Sequence, residues 1–347
     1  MASTDLPDTL RLSLLDRSRT RFGEPHAAAL EATLRRAESA DALGFHRFWV
    51  AEHHSVPGVA SGSPPVLIAA AAERTRRIRL GSGGVMVPNH RPMVIAEQFA
   101  MLEALHPGRI DLGVGRSLGF TAPVRAALGV EEYDDDAFTR DLSAVLDFLH
   151  GRGPVSAMPV IAEPPPVFVL AMGRGLEIAA QEGLPVVVGG SRLLADPAPL
   201  ERYRADFRPG ATAEPYVAVS LEVAIAESTT AARSTTAARS TAAASSTTAA
   251  RELLVSEAWA LAESRETGVF GPLRAPADVL GRRFRPQQVR RMEEWLGGAV
   301  YGDAGQVAEQ LAVLVERTGA DEIMASTSMY DRDALQRSDA ALAALIR

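Results

Sequence analysis

The chain contains no cysteine and no lysine; all 36 of its basic residues are arginine. Without cysteine there can be no disulfide, thiolate nucleophile or Cys-ligated zinc or iron–sulfur centre. Without lysine there is no Schiff base, no pyridoxal-phosphate attachment and no phosphate-loop ammonium. Any bound phosphate must be gripped by arginine, backbone N–H groups or hydroxyls. No stretch reaches the roughly 18 consecutive apolar residues that a membrane span needs, so no membrane partner is expected. Met1 to Leu12 carries Asp5 and Asp8, with no basic cluster ahead of an apolar run, so a signal peptide is not expected and a cytoplasmic location is. A net charge of −7 argues against nucleic acid as a partner.

The 347 residues, 47% of them hydrophobic, suffice for one large domain or two medium ones. Short apolar runs alternate with helical spacing. Strands are predicted at Leu10–Asp16, Phe45–Ala51, Ile78–Val87, Ile110–Gly115, Val167–Met172, Pro185–Val188, Tyr216–Ala226 and Asp321–Thr327. Strands interleaved with helices imply a parallel sheet, and eight such units fit a closed TIM (β/α)8 barrel with insertions. An open doubly wound sheet would accommodate most of the same pattern. We read residues 1–347 as one barrel domain, carrying at 229–252 a low-complexity insertion built on TTAARS. A period of six cannot keep one apolar face on a 3.6-residue helix, so this segment is expected on the surface, as helix or loop.

In a parallel barrel the chemistry sits at the C-terminal ends of the strands. The second strand is followed by Glu52-His53-His54. These residues could serve a metal, ordinary packing or catalysis; no further ligand at metal-like spacing lies nearby in sequence, and we favour a catalytic or substrate-facing histidine. The third strand carries Gly83-Gly84, where glycine permits either a tight bend or a flat ligand lying against main chain. Arg116 follows the fourth strand. The fifth is followed by Met172-Gly173-Arg174-Gly175, which opens directly into a helix whose N-terminus would offer N–H groups to a phosphate.

The stretches GFHRFWVAEHH (44–54), LGSGGVMVPNH (80–90), AEQFAMLEALHPGRIDLGVGR (96–116), LAMGRGLEIAAQEGLP (170–185) and GADEIM (319–324) together resemble the bacterial luciferase-like family of flavin-dependent monooxygenases, in its single-chain branch. The resemblance implies a TIM barrel that binds reduced FMN at its mouth. In such proteins the flavin is supplied by a separate reductase and a small organic substrate is oxidised with O2 through a C4a-hydroperoxide. It assigns His53 as the catalytic histidine beside the flavin. Gly83 and Gly84 would form a non-prolyl cis peptide under the ring, and Arg116, Met172, Gly173, Arg174 and Gly175 would bind the cofactor, with no metal. A homodimer is implied as well. The loops Ser55–Pro64 and Leu118–Asp136 and the segment Gly268–Tyr301 would shape the substrate pocket. The sequence departs from the light-emitting luciferase subunit in two places. Ala171, Met172 and Gly173 stand where that subunit has an acidic residue and hydroxyls, and Gly115 stands where it has a cysteine, which speaks against light emission. Two alternatives use the same fold: F420-dependent hydride transfer, or a non-catalytic flavin-binding subunit.

Overall fold

The computed structural model describes residues 6–189, 196–210, 212–226 and 236–346, with the main chain alone over 236–244. Its strands are β1 (Arg11–Asp16), β2 (Arg47–Val50), β3 (Arg79–Ser82), β4 (Val85–Met86), β5 (Ile110–Gly115), β6 (Val167–Leu170), β7 (Val186–Gly189), β8 (Val217–Leu221), β9 (Val223–Ile225), β10 (Val300–Gly302) and β11 (Glu322–Ala325). The helices are α1 (His26–Leu43), α2 (Pro64–Arg74), α3 (Pro92–Leu105), α4 (Ala122–Leu128), α5 (Asp135–Leu149), α6 (Arg174–Glu182), α7 (Ala198–Ala205), α8 (Thr236–Thr267), α9 (Pro276–Leu280), α10 (Pro286–Leu296), α11 (Ala304–Thr318) and α12 (Arg332–Ala343).

The main sheet runs β3-β2-β1-β11-β8-β7-β6-β5-β4, and a parallel β3–β5 pairing of Leu80 with Ile110 closes it. β3 and β4 are two halves of one predicted strand, interrupted at Gly83-Gly84, so the cylinder has eight staves, as the alternation implied. The open-sheet alternative is excluded by that closure.

Side chains fill the cylinder in layers. At its N-terminal end lies an ionic floor. Arg47 contacts Asp111 at 2.8 Å and Glu322 at 3.0 Å, Tyr216 donates to Glu322 at 2.8 Å, and Trp49 Nε1 donates to Asp111 at 3.1 Å. Arg79 reaches the other Asp111 oxygen at 2.6 Å, so two guanidinium groups oppose two carboxylates and no buried charge is left alone. Above the floor, Leu15, Trp49, Phe168, Val187, Ala218 and Met324 form an apolar layer, with Trp49 and Phe168 edge to face at 5.1 Å. The larger apolar cluster lies between the outward strand faces and the helices. These two layers seal the bottom of the barrel and leave its C-terminal mouth to the loops.

Three local expectations are corrected. The predicted strand Tyr216–Ala226 breaks at Glu222: β8 stays in the barrel, while β9 leaves to pair with β10. The break is held by Thr327, whose hydroxyl contacts both the amide and the carbonyl of Val223. The TTAARS segment is also not wholly superficial. Its residues 229–235 lie outside the described set, but in α8 Ser246 and Ala250 are buried and begin an i, i+4 stripe continued by Leu254, Ala258 and Ala262. The non-repetitive half of the helix sets the phase, and the small Ala and Ser side chains of the repeat follow it inward. Finally, of the segment 268–301, residues 279–301 pack on α8, with Trp259 against Phe284 at 5.4 Å, and residues 270–273 hydrogen-bond to the loops at 20–22 and 58, but none lines the mouth cavity described next.

Candidate active site

A cavity of about 540 Å³ opens at the C-terminal end of the barrel. It is lined by His53 and His54 after β2, Gly83 and Gly84 between β3 and β4, Gly115 at the end of β5 and Arg116 just after it. Val56, Met86, Leu118, Phe120, Leu170 and Met172 form the apolar part of its wall. Five of the predicted site residues, His53, Gly83, Gly84, Arg116 and Met172, therefore converge on one space. Gly173, Arg174 and Gly175 sit in the adjoining turn and do not line it.

The glycine pair fits a close main-chain approach. The Gly83-Gly84 peptide is cis, and a Cβ at Gly84 would lie 2.8 Å from the Gly113 carbonyl oxygen. Gly173 adopts φ 57° and ψ −124°, a backbone state that favours glycine, and caps α6 without a side chain. The helix end is less open than the sequence suggested. Gly175 N–H already donates to Met172 and Leu176 N–H to Gly173, which leaves the Arg174 N–H without a main-chain acceptor among the described residues.

Arg116 and Arg174 are both met by acids at the start of α5: Arg116 by Asp135, and Arg174 by Asp136 at 3.5 Å. The sequence reading did not foresee this pairing. Both pairs are substantially exposed, so the arginines remain available to an incoming anion.

His53 is half-buried, and its amide donates to the Ser61 carbonyl at 2.9 Å. Burial, reinforced by the positive charge of Arg17 and Arg19 and only partly offset by Glu52, pushes its imidazole down to about 4. The ring is therefore neutral at physiological pH and can accept a proton. The arginines belong to an ionic cluster built from separate strand ends and α8. Arg17 donates to Glu222 at 2.9 Å and approaches Glu257 at 3.3 Å, while Arg19 contacts Glu257 at 2.8 Å. Burial and the neighbouring Glu257 raise Glu222 to about 7 despite Arg17.

The structure also supplies what local spacing did not show beside the EHH motif. His90, at the end of the second matching stretch (80–90), joins Glu52 and His54, so three potential ligand atoms lie within 4.8 Å of one another. Both imidazoles meet one oxygen of the fully buried Glu52 carboxylate, His54 at 2.6 Å and His90 at 2.8 Å, and Met86 N–H donates to the other at 3.0 Å. Despite its burial, these hydrogen bonds hold the Glu52 carboxyl below its ordinary range. Glu52 thus ties the histidines to the strand that leaves the glycine pair. His53 and His54 both line the cavity, because β2 has ended at Val50 and the alternation of strand faces no longer applies.

The sequence pattern of the luciferase-like monooxygenases matches residues 12–322. The chain belongs to that family. A luciferase-like monooxygenase of Escherichia coli K12 is 34% identical over 334 residues, covering 94% of each chain. Among solved structures, apo-MsnO8 superposes with a TM-score of 0.82 at 28% identity, covering 97% of this chain and 98% of that one. Two more distant structures share the fold alone. The oxygenating constituent of 3,6-diketocamphane monooxygenase from Pseudomonas putida, in complex with FMN, gives a TM-score of 0.68 at 16% identity, covering 99% and 97% of the two chains. An F420-dependent secondary alcohol dehydrogenase gives 0.69 at 15%, covering 97% and 99%. The Escherichia coli relative is named a monooxygenase, and membership of this family makes the chain an oxidoreductase.

Proposed function

We propose that this protein is an FMN-dependent monooxygenase that oxidises a small organic substrate with O2, using flavin reduced by a separate reductase. The observation that carries the reading is the convergence of a main-chain glycine platform, a neutral histidine and an exposed arginine on one barrel mouth. The residues fit the cofactor: a flat ring needs a wall without Cβ atoms, and its phosphate needs a cation, which in a chain without lysine is an arginine. Gly83 and Gly84 would bear the ring. Arg116, assisted by Arg174 and the start of α6, would take the phosphate. Bound reduced FMN supplies the electrons that activate O2.

His53, held neutral, would accept a proton within the site, and the hydrogen-bonded Glu52, His54 and His90 fix the wall beside it. Leu118, Phe120, Leu170 and Met172 would exclude water and receive an apolar part of the substrate. Val66 on α2 and Val94, Met101 and Leu105 on α3 are exposed, and these two helices pack together. Such a patch supports a homodimer. Titration of the apo-protein with FMN, reduced FMN and F420, followed by O2 uptake with candidate substrates, tests the reading. Tighter binding of F420 than of either flavin would replace it with hydride transfer, and tight flavin binding without turnover would favour a binding subunit.

A further inference from the structure

A second cavity, of about 570 Å³, shares no lining residue with the mouth. It lies between the loop after β1, helix α1, the loop after β11 and helix α12, and Arg21, Arg36, Ser328 and Arg332 line it. Its charges are unevenly satisfied. Arg36 is neutralised by Asp16 at 3.0 Å and Asp339 at 2.8 Å. Arg332 is forked onto Glu24, yet its Nε–H is buried with no hydrogen-bond partner among the described residues.

Arg21 is 6% exposed and forms no ion pair among the described residues. Its guanidinium donates only to main-chain carbonyls: Nε to Tyr330 at 2.5 Å, Nη2 to Met329 at 2.6 Å and Nη1 to Arg19 at 3.3 Å. An arginine has five N–H donors, so two of them remain unused among the described residues. The carboxylates that reach it electrostatically, Glu24 and Asp16, are already taken by Arg332 and Arg36. Burial and the nearby Arg332 push Arg21 down to about 10, the direction expected of a guanidinium that lacks a counter-charge. The remaining carboxylates of the lining, Glu38 and Asp333, are exposed at its rim, as is Arg35.

We propose that this cavity is a binding site for a small oxyanion, a phosphate or carboxylate group seated between Arg21 and Arg332. The oxyanion would take the unused N–H groups of Arg21 and the orphaned Nε–H of Arg332, supplying the missing negative charge. The site lies on the loop that also carries Arg17 and Arg19, whose charges add to burial in keeping His53 neutral. Occupancy would therefore steady that loop from outside the mouth.

The test is isothermal titration with inorganic phosphate, and separately with acetate, at constant ionic strength, alongside thermal melting. Wild type, Arg21→Met, Arg332→Gln and Arg116→Ala are compared. Saturable binding at least tenfold weaker in Arg21→Met and Arg332→Gln, and unchanged in Arg116→Ala, supports the site. The tighter of the two anions identifies its chemistry. Binding lost in Arg116→Ala but kept in the other two places the anion at the barrel mouth and overturns the proposal, as does the absence of saturable binding of either anion. Should Arg21→Met fail to fold, Arg332→Gln decides, because that side chain is only half-buried.

Discussion

The pairing of Arg116 with Asp135 makes a quantitative demand on flavin binding. If Arg116 grips the FMN phosphate, the phosphate and Asp135 compete for one guanidinium. The side chains of Arg116 and Asp135 are 43% and 24% exposed, so their ion pair is worth about 0.2–1 kcal/mol. A charge-assisted hydrogen bond to phosphate contributes about 1.5–3 kcal/mol. The net loss for Arg116→Ala is then about 0.5–2.8 kcal/mol, a roughly 2- to 100-fold rise in the FMN Kd. Asp135→Asn releases the competitor and tightens binding by about 1.4- to 5-fold. In the Arg116→Ala background the same Asp135→Asn change does nothing, because the arginine it competed for is gone. Quenching of flavin fluorescence on titration measures all four affinities, and raising the salt concentration shrinks every difference. An unchanged Kd in Arg116→Ala, or weaker binding in Asp135→Asn, refutes the phosphate placement.

Four further outcomes follow from the geometry. His53→Gln leaves FMN affinity within about twofold but lowers turnover by about 10²- to 10⁴-fold; equal losses in both would show that His53 is structural. Burial and the charge of Arg47 push His46 down to about 4, so the unfolded chain binds an extra proton between about pH 4 and its ordinary 6.5. That histidine's contribution is full above pH 6.5 and is lost as pH falls, so His46→Gln flattens the urea-melt stability profile by about 1.4 kcal/mol per pH unit near pH 5; an unaltered slope contradicts the assignment. Asp111→Asn leaves Arg47 and Arg79 facing one carboxylate in the barrel floor and costs about 3–5 kcal/mol, read by urea denaturation. Met101→Glu with Leu105→Glu places charge on the exposed α2–α3 face and yields monomers by light scattering, whereas a dimer unaffected by the pair lies elsewhere.

The barrel was legible because its strands are short apolar runs spaced by helical patterns, and this periodicity survives in a single sequence. The strand break at Glu222 was not, since Thr327 enforces it from 104 residues away and β9 finds its partner, β10, only after α8. The burial of Ser246 and Ala250 escaped a reading based on the repeat's own period, because the phase comes from Leu254 and Ala258. At the mouth, residues just beyond strand ends, His53, Gly83, Gly84, Arg116 and Met172, could be found from position along the chain. Their partners could not. Asp135 meets Arg116 only after α4 intervenes, and His90 reaches Glu52 from 38 residues on, distances over which local spacing carries no signal. Glu222 and Glu257 surround Arg17 only because barrel closure brings β1 beside β11 and β8, with α8 folded over them.

The most direct test of the central claim is a crystal structure of the protein soaked with FMN. The account predicts the isoalloxazine resting on the Gly83-Gly84 peptide beside His53, with the phosphate against Arg116 and the Arg174 N–H and Asp135 displaced. A flavin bound anywhere else, or a mouth that stays empty at saturating FMN, would contradict it.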